Sequence, residues 1–371
     1  IGKGSKNVLL FACPHPNEPI GAMMLSYLSE RLAEDSNLRE SFDITWNIIK
    51  CVDPDGTRLN EGWFNGPFTP KNYAENFYRP ATFEQVEWTF PVNYKSLIFN
   101  KPLPETRALM RVIEDLRPDF VYSLHNSGFG GAYFYISDKK EELYSPLHDI
   151  LVKSNIPLHL GEAEAPFVEK YSKAVFRFPS VRGNYDYIAE NMDVDPADIL
   201  EVGASSFEYV KEFNSNAFCL VCEIPYFYDP KIEDQTEMDI SRKEALLESV
   251  NIGNNIIDNV QGILENVSAL LNTNTPFLTA ASQLLSMYKN NNQAKANWVK
   301  NSSGLDSRVT IAQYFDNTTV TKFYLLIVVG MLLRHFELEI AENQNQNTIK
   351  KLIDARDDLR KYFNTINEGL E

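Results

Sequence analysis

The sequence predicts an α/β protein, in which a mainly parallel sheet lies between helices and an all-helical region follows. Along roughly the first 230 residues, short apolar runs alternate with segments of helical period. The runs lie at 7–13, 42–51, 119–125, 132–137 and 217–224. Continuous apolar runs of this length are typical of strands buried on both faces, as in parallel sheets. After about residue 230 the apolar residues recur only at helical spacing.

The remaining elements follow from the same spacing rules. Helices are predicted from Glu18, over 105–116 and over 143–154, with a further strand at 157–160. Residues 60–104 are rich in aromatics, Asn and Pro and have little periodicity, which in a compact enzyme is typical of a segment that lines a site. The C-terminal helices are expected at 246–271, 276–289, 308–339 and 345–367, with an Asn-rich connector at 290–293. We therefore predict a catalytic domain over 1–230 and a helical region over 231–371.

Composition limits the classes of function. The chain has 371 residues, of which 44% are apolar and 23% charged, so it can form a substantial core. Its 51 acidic and 35 basic residues give a net charge of −16, which disfavours binding to nucleic acid or to anionic membranes. The most apolar stretch, 323–333, is shorter than the roughly 20 residues of a membrane span and predicts a buried helix.

Four cysteines are too few and too scattered for a disulfide framework. Cys219 and Cys222 have metal-like spacing, but they lie on a predicted strand, where positions three apart point to opposite faces. We expect both to pack in the core. Unpaired cysteines favour a cytoplasmic location. No signal peptide is recognisable, although a chain that begins at Ile1 rather than Met leaves secretion open. The sequence does not predict an oligomeric state.

The first chemical feature is His15-Pro16-Asn17-Glu18, which follows the first predicted strand. In open α/β sheets, ligands bind at the carboxyl ends of the strands. Imidazole and carboxylate are suitable zinc ligands, and a catalytic zinc ion takes three protein ligands and a water. By itself, a His and a Glu three residues apart is a weak signal.

Two further polar residues also end apolar runs. His125 closes 119–125, and Glu223 closes the strand that contains Cys219 and Cys222. Judged separately, each has a purely structural interpretation, since a strand-end His is often structural and a strand-end Glu can reach solvent. Three such features on one inferred sheet favour a metal site with a carboxylate as general base.

In order along the chain, HPNE at 15–18, DPDGTRLNEGW at 53–63, the His of SLHNSG and the Glu of CEIP resemble the motifs of the zinc metallocarboxypeptidase (carboxypeptidase A-like) family. The similarity covers about residues 7–230. It implies that His15, Glu18 and His125 hold one zinc ion and that Glu223 is the general base. It also implies a twisted, mixed eight-stranded sheet between helices.

One segment departs from the family pattern. The family has an N-R-N-F segment whose Arg grips the terminal carboxylate of the substrate, and the best match here is Ala74-Glu75-Asn76-Phe77. Either Arg79 supplies the missing cation, or Glu75 and its neighbour Asn76 recognise an end of the substrate that is not a free carboxylate. Both alternatives stay open.

Other site residues are placed by loop context or by analogy with the family. Arg58 is the candidate for holding the oxyanion, although a surface Arg would look the same. The family also uses a Tyr between the third ligand and the catalytic Glu. Tyr185, Tyr187 and Tyr209 all remain candidates.

The sequence thus predicts a zinc metallopeptidase that cleaves an amide bond near a terminus of a peptide or modified peptide. An acyl-amino-acid deacylase of the aspartoacylase or succinylglutamate desuccinylase type is the alternative with the same metal site. The aromatic segment 60–104 and the DPDG turn favour the peptidase. A degenerate peptidase that only binds a partner is a third hypothesis, which the complete set of ligands and base disfavours.

Overall fold

A computed structural model describes residues 1–370. In chain order its strands are β1 Lys6–Ala12, β2 Ile44–Ile49, β3 Val92–Tyr94, β4 Leu97–Phe99, β5 Phe120–His125, β6 Tyr133–Ile136, β7 Lys170–Ser172, β8 Val175–Arg177, β9 Phe218–Glu223, β10 Glu237–Ser241 and β11 Arg308–Thr310. Its helices are α1 Ile20–Glu34, α2 Ser36–Glu40, α3 Pro54–Arg58, α4 Glu61–Phe64, α5 Pro70–Asn76, α6 Pro104–Leu116, α7 Glu141–Lys153, α8 Val181–Asn191, α9 Ser206–Phe213, α10 Arg242–Val267, α11 Pro276–Asn301, α12 Ile311–Phe315, α13 Thr321–Glu342 and α14 Gln346–Glu368.

The chain packs as two compact units. The sheet unit comprises residues 1–58 and 82–228, and the helical unit comprises residues 59–81 together with those from Asp229 onward. As a division into domains, 1–230 and 231–371 stays a prediction. The packing differs from it by assigning 59–81 to the helical unit.

The sheet unit contains a seven-stranded sheet in the order β2-β1-β5-β9-β6-β8-β7. Four neighbouring pairs are parallel, and the pairs β6–β9 and β7–β8 are antiparallel. The predicted mixed, mostly parallel sheet is confirmed, with seven strands where the resemblance implies eight. The strand predicted at 157–160 is reduced to one bridge between Ala132 and Leu158. Pro157 has no N–H to contribute to a longer ladder.

The strands of this sheet are buried on both faces, as their apolar runs predicted. Leu9 and Phe11 of β1 pack with Val121 and Cys219 on one face. Val8, Leu10 and Ala12 pack with Leu124 on the other. Cys219 and Cys222 belong to different core clusters, which confirms that they face opposite sides of the sheet.

Residues 60–104 contain more regular structure than the sequence predicts. They form the short helices α4 and α5 and the hairpin β3–β4. Helix α5 is only seven residues long; the side chain of Thr69 caps it, and Pro70 begins it. Elements this short leave no detectable period, because the helices complete only about two turns and each of the strands has three residues. For the same reason β7, β8 and α9 were not predicted.

The helical unit is built around α13, whose stretch Leu325–Leu333 is wholly buried. A Cβ on Gly330 would lie 1.8 Å from the carbonyl oxygen of Ala74, so α5 packs directly on the α13 backbone. Arg334 donates to the carbonyl oxygens of Asn76 and Phe77 at 2.9 and 3.1 Å. These contacts explain why 59–81 belongs with the helices. Within residues 1–370, no helix has the length and apolarity that a membrane crossing requires.

The C-terminal region is helical, as predicted, except for the short antiparallel pair β10–β11. The predicted connector at 290–293 is wrong, because α11 runs through it without a break. Ala294 and Val299 beyond the Asn residues are buried, so packing of that face outweighs the low helix propensity of Asn. The predicted helix 308–339 is divided into β11, α12, a π-helical turn Asp316–Val320 and α13.

Candidate metal centre

The loop between β1 and α1 holds His15 and Glu18. Cys13 adopts a left-handed backbone conformation, with φ of 52°, and turns the chain out of the strand. The N–H of Glu18 donates to the carbonyl oxygen of His15 at 3.1 Å, which closes the loop tightly. His15 and Glu18 are both buried, with 3% and 2% of their surface exposed.

His125 ends β5, the strand next to β1, and lies beside this loop. Its Nδ1 is 3.0 Å from Oε2 of Glu18, and its ring centroid is 5.0 Å from that of His15. His15, Glu18 and His125 each offer one ligand atom, and these three atoms lie within 4.8 Å of one another. The structure therefore brings the three predicted metal ligands together.

Glu223 ends β9 and pairs in register with His125. Its Oε1 lies 3.7 Å from His125 Nδ1. The predicted general base thus lies beside the predicted ligands, on the side of His125 that faces Glu18.

A third acidic residue, Glu87, was not predicted to belong to this site. Its Oε1 accepts hydrogen bonds from the backbone N–H and the hydroxyl of Ser206, at 3.1 and 2.9 Å. Its Oε2 is buried and has no hydrogen-bond partner among the described residues. Burial raises the pKa of Glu87, against the opposing charge of His125 and the hydrogen bonds from Ser206. Nothing in its non-periodic sequence segment pointed to this position.

The electrostatics of the site are dominated by carboxylates. Burial alone would lower the pKa of His125, but Glu18, Glu223 and Glu87 outweigh it and raise the pKa to about 9. Three buried or nearly buried carboxylates around one imidazole leave an excess of negative charge where the dielectric is low. A divalent cation would offset that excess.

Neighbouring polar residues hold the ligands in place. The hydroxyl of Ser123 bonds His125 Nε2 at 2.8 Å, which leaves Nδ1 directed at the carboxylates. The N–H of Asn126 donates to Glu18 Oε2 at 3.3 Å, and the hydroxyl of Tyr226 donates to the Asn17 carbonyl oxygen and to Asn126 Oδ1. Ser123 could have been found from strand alternation, since it shares a face with His125.

This donor set fits a zinc ion. Two imidazoles and one carboxylate are a common ligand set of catalytic zinc, and Ser123 provides the outer hydrogen bond that fixes the ring of a ligating His. His15, Glu18 and His125 would hold the ion, and Glu223 would stay available for proton transfer.

Arg58 ends the short helix α3, which packs against the metal loop. A Cβ on Gly56 of this helix would lie 2.7 Å from Cγ of Pro16. The guanidinium of Arg58 is exposed and makes no hydrogen bond or ion pair with any described residue. Its role as oxyanion holder stays a prediction.

The predicted substrate-binding residues Glu75, Asn76 and Arg79 belong to the helical unit. Glu75 Oε1 accepts from Lys71 at 2.6 Å and from Arg360 at 2.8 Å, and Asn76 donates to the carbonyl oxygen of Asn72 at 3.0 Å. These contacts give Glu75 and Asn76 a structural role without any substrate. Their role in substrate binding, and that of Arg79, stays a prediction.

The three candidate tyrosines have partners away from the metal ligands. The hydroxyl of Tyr185 bonds Ser96 at 2.7 Å, and that of Tyr209 donates to Glu114. Burial raises the pKa of Tyr187, which packs its ring against Phe167.

Comparisons with known proteins add little to this picture. No protein-family model matches the chain, and no curated protein matches it. One similar solved structure is carboxypeptidase A from Helicoverpa armigera, with a TM-score of 0.33 and 15% identity over 59% of this chain and 52% of that one. Another is a metallo-carboxypeptidase from Burkholderia cenocepacia, with a TM-score of 0.30 and 17% identity over 60% of this chain and 48% of that one. The match spans about half the length of each structure. Structural neighbours of the chain are therefore metallocarboxypeptidases, at low structural similarity.

Proposed function

We propose that the chain is a zinc-dependent hydrolase that cleaves an amide bond near a terminus of a peptide or modified peptide. The observation that supports this most is the convergence of His15, Glu18 and His125 within 4.8 Å, with Glu223 beside them. A ligand set with a separate carboxylate next to it is what metal-assisted hydrolysis requires.

The residues of the site have separate roles in the proposed reaction. His15, Glu18 and His125 would hold a zinc ion, which would supply Lewis acidity and lower the pKa of water toward neutrality. Glu223 takes the proton of the attacking water and passes it to the leaving nitrogen. Arg58 stabilises the negative charge that develops on the carbonyl oxygen.

The surrounding residues keep this arrangement fixed. Ser123 holds the ring of His125, and Asn126 bonds the carboxylate of Glu18, so both ligands keep their orientation without substrate. A pre-arranged site lowers the entropy cost of the reaction, because no side chain has to be ordered during it.

The first experiment separates metal binding from chemistry. Protein purified without added metal is analysed for zinc, and Glu223→Gln is compared with the parent chain on a set of short peptides. We expect about one zinc per chain in both proteins and a loss of turnover on the order of 10³-fold in the variant, the scale of losing one general acid–base group. Glu190→Gln, an exposed acid in α8 with no described partner, is the matched control and should keep full activity. Near-normal turnover by Glu223→Gln would contradict the mechanism.

A second experiment identifies the substrate end. The same peptide is offered as a free acid, as an amide, with a free amino terminus and in acetylated form. Loss of cleavage on amidation would show recognition of a terminal carboxylate. Cleavage of acylated amino acids in preference to every peptide would favour a deacylase instead. Zinc binding without hydrolysis of any of them would favour a binding module.

A further inference from the structure

Two cysteines outside the metal site lie side by side at the ends of neighbouring strands. Cys13 directly follows β1, and Cys51 lies two residues beyond the end of β2, which is parallel to it. The strand pairing continues past both, since Val52 N–H donates to the Ala12 carbonyl oxygen at 3.0 Å and Asp53 N–H to that of Cys13 at 3.2 Å. The register of the two strands pairs Phe11 with Ile49, which places Cys51 opposite Cys13 two positions further on, and Cys51 packs against the core cluster that contains Cys13.

The two sulfurs differ in environment. Cys13 is completely buried, whereas Cys51 is half-buried and reachable by a small molecule. The neighbouring thiol of Cys13 lowers the pKa of Cys51 to about 7, against the effect of burial, and Thr57 Oγ1, 3.6 Å from the sulfur, acts in the same direction. The lowered pKa increases the thiolate fraction of Cys51 near neutral pH, and the thiolate is the reactive form.

The other two cysteines provide an internal comparison. Cys219 and Cys222 lie on opposite faces of β9 and are both buried. Burial raises the pKa of Cys219 to about 12 and raises that of Cys222 as well. They are inert thiols that cannot meet each other.

We propose that Cys13 and Cys51 are an oxidant-sensitive pair, which closes to a reversible disulfide when the protein meets hydrogen peroxide. The Cys51 thiolate attacks one peroxide oxygen, the O–O bond breaks, and a sulfenic acid and hydroxide form. The sulfur of Cys13 then attacks the sulfenic sulfur, the S–O bond breaks, and the thiol proton leaves with the hydroxyl group as water. Two thiols lose two electrons, and one peroxide becomes two waters.

The backbone at Cys13 favours this modification site. A backbone φ of 52° is strained for a residue other than Gly, and such strain is concentrated at functional sites. Here the left-handed turn packs Cys13 in the same core cluster that Cys51 borders. A disulfide needs Cα atoms about 4.4–6.8 Å apart, which neighbouring strand ends satisfy.

The two cysteines lie at the start of the two loops that carry candidate site residues, one after β1 with His15 and Glu18 and one after β2 with Arg58. Cys13 is two residues before His15, and its sulfur lies 3.5 Å from the carbonyl oxygen of Glu18. Cys51 is two residues before Asp53, whose Oδ1 accepts from Gly56 N–H at 2.8 Å in the turn that leads to Arg58. The bridge would link these two loops covalently.

The proposal is tested on the full, reduced chain with hydrogen peroxide at low protein concentration. Titration of thiols should fall from four to two, and a nonreducing digest analysed by mass spectrometry should contain a peptide linking Cys13 to Cys51 that dithiothreitol separates. Four remaining thiols, a link that involves Cys219 or Cys222, or only intermolecular dimers would overturn it.

Variants resolve the order of events. Cys13→Ser should leave a sulfenic acid on Cys51 that dimedone traps, and Cys51→Ser should keep all three of its thiols at the same dose. Cys219→Ser is the matched control and should still lose two thiols. If Cys51→Ser were oxidised as fast as the parent chain, Cys51 would not be the residue that reacts first. The digest of the unmodified sequence gives a result even if a variant fails to fold.

Discussion

Both units of the protein contain buried or half-buried acidic side chains, but the surroundings of these side chains differ. In the helical unit, Glu339 accepts the N–H groups of Asn272 and Thr273 at 3.0 and 2.8 Å, and Glu75 is bonded by Lys71 and Arg360. In the sheet unit, Glu18, Glu223 and Glu87 surround one imidazole.

The difference separates structural acids from functional ones. A buried carboxylate that has its own donors and stands apart from other buried acids contributes to stability and needs nothing further. Like charges gathered in a low dielectric cost free energy unless a cation is bound among them. Burial of a single acidic residue does not indicate a functional site. Several buried acidic residues gathered in one place do indicate one.

The largest effect expected from this comparison concerns Glu18. Glu18→Gln should weaken zinc binding on the order of 100-fold or more, at or above the upper end of what loss of an outer partner of a ligand costs. The unfolding free energy of the metal-free variant should not fall, because one of several converging negative charges has been removed. Zinc titration and urea unfolding of chelator-treated protein measure both. A variant that retained its zinc but lost stability would place Glu18 with the structural acids.

The opposite pattern is expected for Glu339. Glu339→Gln should lower the unfolding free energy by about 2 kcal/mol, since two backbone N–H groups lose a charged acceptor. Its zinc content should not change. Glu337→Gln, which removes an exposed acid paired with Arg356, is the matched control and should stay within about 0.5 kcal/mol of the parent chain. Equal losses from both variants would remove the distinction between buried and exposed acids in this unit.

A smaller effect tests whether Glu87 belongs to the site. Glu87→Gln keeps an acceptor for Ser206 but removes the charge, so zinc affinity should fall about tenfold, at the lower end for outer-shell groups. Glu84→Gln, an exposed acid three residues earlier, should leave zinc affinity as it is. If the two variants behaved alike, Glu87 would be only a buried partner of Ser206.

The smallest effect concerns pH and the helical unit. Burial lowers the pKa of His335 below its ordinary value of 6.5, although Glu339 acts in the other direction, and its Nε2 has no hydrogen-bond partner among the described residues. The folded chain therefore favours the neutral ring, while the unfolded chain takes up a proton below about pH 6.5. The stability that this residue supplies is complete above that pH and declines as the pH falls. The urea midpoint should drop between pH 7 and pH 5, and His335→Gln should show a smaller drop over the same interval.

How much of the site the sequence predicts depends on where each residue lies. His15, His125 and Glu223 could be found because each follows an apolar run, and the carboxyl ends of parallel strands meet at one edge of the sheet. Ser123 was within reach of the same reasoning, through alternation along β5. Glu87 was not, because it lies in a single 3₁₀ turn, Val86–Trp88, without a period that would give it a direction.

The extent of the helices shows the same limit. Predicted α10 and α14 lie close to their observed positions because their apolar faces keep a helical period over many turns. Residues 290–293 were predicted as a connector from local propensity, which is weak beside the burial of Ala294 and Val299.

The sequence by itself determined the strands β1, β2, β5, β6 and β9, and with them the convergence of His15, Glu18, His125 and Glu223, because a strand that is buried on both faces has an unbroken apolar run. Only the tertiary structure decided that Glu87 adds a further buried carboxyl group there, that Glu75 is paired with Arg360, and that Cys13 lies beside Cys51. Such contacts depend on how separate segments pack. Cys13 and Cys51 are 38 positions apart and Glu75 and Arg360 are 285 positions apart, so no local pattern predicts either contact.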